Sequence, residues 1–389
     1  MNATEAQQCE GELWEEYCRT LRADEGRKAE VQERCLTFGN VRMRYGMEVI
    51  GEPGPGGYPV YIALHGGGGS PTPDMNDGQW EHMKVYYKDS VKSGIYVNPR
   101  GVRDTWDTHA NPESYPLYDR LIEDLIVYCG ADPNRVYLLG FSAGGDGVYL
   151  VGPRMADRFA ALHMSAGCPN KGSMVNLYHT PIQLQVGMND AAYDRNRETV
   201  RYQLYLDELQ RREPDGYIHN AYVHVDKPHN FRDNAEEKQT VLADNKAWLE
   251  EGTVTERKAD SNAVHFLQKF TRDPLPERVI WELDNRSEAR QRDVSSFYWL
   301  RCEEGLHNGT VIVHLEPETN SIVVERDDTQ GSVGVLLKDG MLDLDRPVRV
   351  VYPDGRKVEH IVTRSHEIMW DTLKERGDRN YIFSAYIKL

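Results

Sequence analysis

No apolar run in these 389 residues approaches the roughly 18 that a bilayer-crossing helix needs, so the sequence offers no membrane span. Positive charge is scarce. The 46 Lys and Arg residues stand against 62 Asp and Glu, a formal charge of −16, and they form no cluster, which argues against nucleic acid as a partner. The six cysteines (Cys9, Cys18, Cys35, Cys129, Cys168 and Cys302) lack C-x-x-C spacing, which argues against a disulfide scaffold or a zinc site and for a reduced, cytoplasmic protein. Met1-Asn2-Ala3-Thr4-Glu5 has neither the basic start nor the apolar core of a secretory signal. No H-E-x-x-H spacing, internal repeat or low-complexity stretch is present, and no metal or organic cofactor is expected.

What is present is an ordinary globular balance, 39% hydrophobic and 28% charged, in a chain long enough for about two domains. Leu13, Trp14, Tyr17 and Leu21 share one side of a predicted helix, suited to packing on the main body or to a homo-oligomer contact. From residue 41 short apolar runs predict strands at 43–50, 58–64 and 94–97. The stripe Leu117, Leu121, Ile122, Leu125 predicts a helix, and strands are predicted at 136–139, 160–165, 181–186 and 221–225, with helices at 146–151, 195–212 and 235–250. Strands alternating with helices imply a mostly parallel sheet covered on both faces. Beyond the polar stretch 251–260 and Pro274-Leu275-Pro276, short strands are predicted at 279–283, 296–300, 310–315, 322–325, 333–337, 348–352 and 358–362, the pattern of a small β-sandwich.

A serine hydroxyl becomes a useful nucleophile only with an imidazole to take its proton, a carboxylate to orient the imidazole, and donors for the oxyanion. Gly140-Phe141-Ser142-Ala143-Gly144 directly follows the predicted strand 136–139 and opens a helix, the strand-turn-helix context of a nucleophile elbow. His65-Gly66-Gly67-Gly68-Gly69 follows another strand, and its glycines can turn N–H groups toward a carbonyl oxygen. The expected donors are Ala143 and Gly67, with Gly66 and Gly68 as the other choices; His65 itself reads as a ring that fixes the loop or borders the substrate pocket. The strand 181–186 ends in Gly187-Met188-Asn189-Asp190, which puts Asp190 at the carboxyl edge of the sheet, with Asp194 as the second choice of acid. Asp226-Lys227-Pro228-His229 follows the last predicted strand and supplies His229 as base, whereas His224 lies inside the strand. Ser142, Asp190 and His229 stand in the chain order Ser, Asp, His of α/β-hydrolases.

The segment Asp132-Pro133-Asn134-Arg135-Val136-Tyr137-Leu138-Leu139-Gly140-Phe141-Ser142-Ala143-Gly144-Gly145 resembles the elbow region of polyhydroxyalkanoate depolymerase-like and feruloyl-esterase-like α/β-hydrolases. It is also similar to the catalytic domains of prolyl-oligopeptidase-type peptidases. The resemblance covers about residues 40–250. It implies an α/β-hydrolase fold, the glycine run after His65 as oxyanion loop, and Asp190 and His229 as acid and base. No β-propeller-sized segment precedes the hydrolase part, unlike a typical prolyl oligopeptidase, and a minimal esterase lacks the C-terminal β-domain.

The expected architecture is α/β, with a helical segment at 1–38 packed on the main domain, an α/β-hydrolase domain at 39–252, a linker at 253–276 and a β-rich domain at 277–389. Trp106, in the loop after the strand 94–97, and Tyr193 are the expected pocket residues; Trp80, Tyr86 and Tyr87 read as ordinary packing, and Arg100 and Arg103 as surface ion pairs. The expected activity is hydrolysis of a small or oligomeric ester through an acyl-enzyme. Two other readings stay open: an amidase or peptidase, and a silent scaffold in which the β-domain makes the contacts.

Overall fold

The computed structural model describes residues 1–69, 73–283, 295–302, 308–329 and 331–389. They fall into two compact units, Glu30–Tyr118 with Cys129–Arg272, and Met1–Ala29 with Asp119–Tyr128 and Asp273–Leu389.

The first unit is built on a ten-stranded sheet ordered β1-β2-β4-β3-β5-β6-β7-β8-β9-β10. Its centre consists of β3 (Tyr58–Leu64), β4 (Gly94–Pro99), β5 (Ala131–Phe141), β6 (Ala161–Ser165), β7 (Ile182–Gly187) and β8 (His219–His224), all parallel to one another. At one edge β1 (Cys35–Phe38) and β2 (Val41–Ile50) run antiparallel, and at the other β9 (Gln239–Leu242) and β10 (Glu256–Ala259) do so. This is an α/β-hydrolase fold. Strands β3, β4, β6 and β7 are buried along almost their whole length, as expected where both faces are covered.

On one face, Met83 and Tyr87 at the end of α3 (Pro73–Tyr86) and Val264 and Phe266 of α8 (Ala263–Leu267) share a core with Tyr61, Ala63, Tyr137, Leu139 and Ala161. On the other, α5 (Ala143–Arg154) lies so close that a β-carbon at Gly152 would sit 2.6 Å from Leu162 Cδ1. Two further helices, α4 (Ser114–Cys129) and α6 (Arg195–Arg212), connect β4 to β5 and β7 to β8. The chain leaves β3 toward β4 on one side, while β5 lies on β3's other side. The switch in direction opens a crevice at the carboxyl ends of β3 and β5, where open α/β sheets bind ligands.

The second unit holds a five-stranded sheet and a four-stranded sheet. The first runs β11 (Arg278–Leu283), β14 (Gly309–Glu316), β15 (Ser321–Asp327), β17 (Val348–Val351) and β18 (Lys357–His360); the second runs β12 (Ser296–Phe297), β13 (Leu300–Cys302), β16 (Val333–Leu337) and β19 (Ala385–Lys388). Trp281 of β11 stacks on Phe297 of β12 with centroids 5.8 Å apart, a contact between the two sheets. The helix α1 (Ala3–Ala23) uses the expected face: Leu13 and Tyr17 pack with Met369 and Leu373 of α9 (His366–Arg376).

Four expectations are corrected. The N-terminal helix belongs to the unit that carries the C-terminal sheets, because its apolar face finds its partner in α9, an element the sequence pattern did not signal. The stretch 253–276 is no linker: it supplies β10 and α8, both in the larger unit. The helix expected at 235–250 is a strand followed by α7 (Asn245–Glu251), because Gln239 to Leu242 pair with β10 and Asp244 caps the helix through the Ala247 N–H. The single strand expected at 296–300 is a hairpin turning at Tyr298, whose φ is 53°.

Candidate active site

The elbow is dictated by what its neighbours exclude. Ser142 sits at φ 60°, ψ −120°, a conformation that costs a non-glycine residue about 1–3 kcal/mol and persists only where the surroundings enforce it. Its N–H donates to Ser165 O at 2.9 Å and its carbonyl receives the Asp146 N–H at 3.0 Å, which fixes the turn from β5 into α5. The motif's glycines are steric necessities: a β-carbon at Gly140 would lie 2.3 Å from Gly144 O, and one at Gly144 would lie 2.1 Å from Leu64 O. Gly144→Ala is therefore expected to push α5 off β3 at the crevice. It should destabilise the fold by about 1–3 kcal/mol or more, read as a fall in the thermal midpoint, and slow any reaction of Ser142.

Ser142, His229 and Asp190, brought from three strand ends, form one hydrogen-bonded run. His229 Nε2 is 3.0 Å from Ser142 Oγ, and His229 Nδ1 is 2.7 Å from Asp190 Oδ2. Asp190 is buried, with 3% of its surface exposed, while about a third of the His229 side chain remains open. A carboxylate accepting the Nδ1 proton leaves the Nε2 lone pair facing the hydroxyl, the tautomer a proton acceptor requires. The loop carrying His229 passes directly over the end of β7: a β-carbon at Gly187 would lie 2.1 Å from Pro228 O. Asp194, the second choice of acid, turns away and pairs with Arg201 at 2.6 Å.

The glycine loop is held from behind. His65 is fully buried, so it does not border a pocket as expected: its Nε2 accepts the Gly101 N–H at 2.9 Å and its Nδ1–H donates to Gly66 O at 2.6 Å. Burial pushes its pKa down to about 4, which keeps the ring neutral in this role. The Gly68 N–H donates to Asn76 Oδ1 at 2.8 Å and is thus already engaged, whereas the N–H groups of Gly66, Gly67 and Ala143 have no partner among the described residues. A β-carbon on Gly66 would come within 3.4 Å of Ser142 Cβ, so this loop lies against the serine.

Trp106 is 40% exposed and its backbone flanks the same loop, 3.3 Å from where a Gly68 β-carbon would be. Tyr193 is 78% exposed, three residues beyond Asp190, its ring stacked with the Arg195 guanidinium. Arg100 is not a surface ion pair. Its side chain is buried and bonded to Asp77 and Asp104 at 2.8 and 2.5 Å, while Arg103 pairs with Glu113 at the surface. Trp80, Tyr86 and Tyr87 pack as expected.

Three residues were missed. Asn76 bridges the glycine loop to Asp104 at 2.7 Å, and Arg195 Nη1 approaches Asp190 Oδ1 at 3.6 Å. Asp146, one turn after Ser142, accepts the Cys168 N–H, and burial pushes its pKa up to about 6. None has a sequence signal beyond lying near the motif. A carboxyl whose folded pKa exceeds its unfolded value takes up a proton on folding between about pH 4 and 6, so its ionisation weakens the fold as pH rises through that window. Asp146→Asn keeps the acceptor and loses the charge; its thermal midpoint should match wild type near pH 4 and exceed it above pH 6.

No protein-family model matches the chain, and no curated protein sequence matches it. Among solved structures it is similar to esterase PE8, 17% identical, covering 50% of this chain and 93% of that one with a TM-score of 0.36. It is also similar to a poly(3-hydroxybutyrate) depolymerase from Bordetella parapertussis, 13% identical over 59% of this chain and 88% of that one, TM-score 0.41. A third is an alpha-beta serine hydrolase homologue from Coxiella burnetii, 12% identical over 50% and 87%, TM-score 0.36. At such identities nothing about reaction or substrate transfers to this chain.

Proposed function

We propose that the chain is a serine hydrolase that cleaves a carboxylic ester through an acyl-enzyme on Ser142. One observation carries the reading: the unbroken run from Asp190 Oδ2 to His229 to Ser142 Oγ, at 2.7 and 3.0 Å, beside N–H groups that have no partner among the described residues, at the switch point of the sheet. In this reading His229 Nε2 takes the Oγ proton as Oγ attacks the ester carbonyl. The negative oxygen is received by Ala143 N–H and by Gly67 or Gly66 N–H, and the imidazolium returns its proton to the leaving alkoxide. Water then repeats the sequence on the acyl-serine, giving the acid and regenerating Ser142. Asp190 stabilises the imidazolium and holds its tautomer. Trp106, exposed and flanking the glycine loop, and the exposed Tyr193 are the residues this reading assigns to the substrate pocket.

A fluorophosphonate probe should label Ser142 stoichiometrically, because only an activated serine reacts with it. Absence of labelling in the folded protein would leave the scaffold reading in its place. A panel of p-nitrophenyl esters set against peptide anilides separates ester from amide: the esters should be turned over at least tenfold faster, and a preference for anilides would replace the esterase by a peptidase.

A further inference from the structure

The face of the sheet that packs on α3 and α8 contains a run of polar residues where an enclosed parallel sheet ordinarily carries apolar ones. His163 on β6, Gln183 and Gln185 on β7 and His224 on β8 are all buried there, together with Asp233 from the loop that carries His229. Asp233 has no exposed surface and receives Tyr86 Oη–H at 2.8 Å, Tyr87 Oη–H at 2.7 Å and His163 Nε2 at 2.8 Å.

The direction of each hydrogen bond follows from one backbone group. Ser261 O can only accept, so the Gln185 amide nitrogen faces it. That nitrogen also contacts the Gln183 side chain at 2.9 Å, which must therefore present its oxygen. The same oxygen lies 3.0 Å from His163 Nδ1, so Nδ1 must carry hydrogen. Nε2 lies 2.8 Å from the carboxyl group to which two phenols already donate. At the far end His224 Nε2 donates to Gln185 Oε1 at 2.7 Å, and burial keeps this ring neutral.

We propose that the buried hydrogen-bonded pair of His163 and Asp233 is the positioning element that pins the His229 loop to the sheet. Asp233 lies four residues after His229, and its carbonyl also receives the Ala263 N–H at 2.8 Å. Between the two, Phe231 stacks on His224 at 4.5 Å and packs on Phe141, and Phe141 in turn contacts both His229 and Tyr86, at 5.6 and 5.7 Å. The pair thus sits directly behind the base and the residue preceding Ser142. Burial opposes the charge on Asp233, but the bonds from His163, Tyr87 and Tyr86 outweigh it and hold the carboxyl below its usual range. The other titratable groups that act on this cluster are Tyr96, His224, Lys227 and Arg232.

The effect on catalysis rests on the proposed function; the tether does not. Amide hydrogen exchange across residues 226–236 should accelerate in Asp233→Asn and, less so, in Tyr87→Phe, which leaves two donors in place; unchanged exchange overturns the tether. In the hydrolase reading, Asp233→Asn should lower kcat on a p-nitrophenyl ester by about 10–100-fold at little change in KM, the scale for displacing a supporting group. A wild-type kcat in a folded variant removes the positioning role. If wild type neither hydrolyses esters nor labels, the proposed function fails alone, and the exchange still decides the tether.

Discussion

Ser142→Ala is expected to lower kcat on an activated ester by about 10⁴-fold or more and to abolish fluorophosphonate labelling, with KM close to wild type. The hydroxyl is the group that would bond to carbon, and nothing in the alanine variant takes its place. The loss should be confined to chemistry. Ser142 Oγ contacts only His229 among its described hydrogen bonds, and alanine meets the positive φ at a cost similar to serine's, so the thermal midpoint should barely move. The rate that remains would come from the Ala143 and glycine-loop N–H groups acting on water attack. Near-normal turnover in this variant would remove Ser142 from the mechanism.

Asp190→Asn should cost nearly as much, about 10⁴-fold in kcat, for a reason that can be traced atom by atom. In the wild type one carboxylate oxygen accepts the His229 Nδ1 proton at 2.7 Å, and the other faces the Arg195 guanidinium at 3.6 Å. An asparagine must choose which side receives its single oxygen. The charged guanidinium is the stronger claimant, so the amide nitrogen turns toward Nδ1. The imidazole then carries its hydrogen on Nε2, opposite Ser142 Oγ, and can no longer accept the hydroxyl proton. Substrate binding is untouched, so KM should hold while kcat and probe labelling fall together. A loss below tenfold would move the acid elsewhere, and Asp194 would be tested next.

The features readable before the fold was known were those written in local pattern. The parallel strands announced themselves as short apolar runs, and α6 over its full length by its charged periodicity. The elbow was legible because a strand, two glycines around a serine and a helix start occur within a few residues. Asp190 and His229 could be singled out as candidates because each follows a strand, and strand ends of a parallel sheet meet at one edge.

Other features had no such signature. Strands β9 and β10 lie in polar sequence and are stabilised by each other's backbone, so 235–250 looked helical. The helix α9 is weakly amphipathic and exists as the partner of α1, more than 340 residues away in the chain. Gln183, Gln185 and His163 interrupt apolar runs, but only their contacts with Asp233 and Ser261 reveal that the interruption is one connected network.

Residue type, spacing and chain order were enough to identify an α/β-hydrolase fold and to name Ser142, Asp190 and His229, because each choice depends on chain geometry within one strand and its following turn. Which glycine N–H groups stay unengaged, that His65 braces the loop from inside, that Arg195 faces Asp190 and that Asp233 bonds to His163, Tyr86 and Tyr87 were decided by packing. These outcomes depend on which groups from distant segments arrive within hydrogen-bonding distance, and no local sequence window contains both partners.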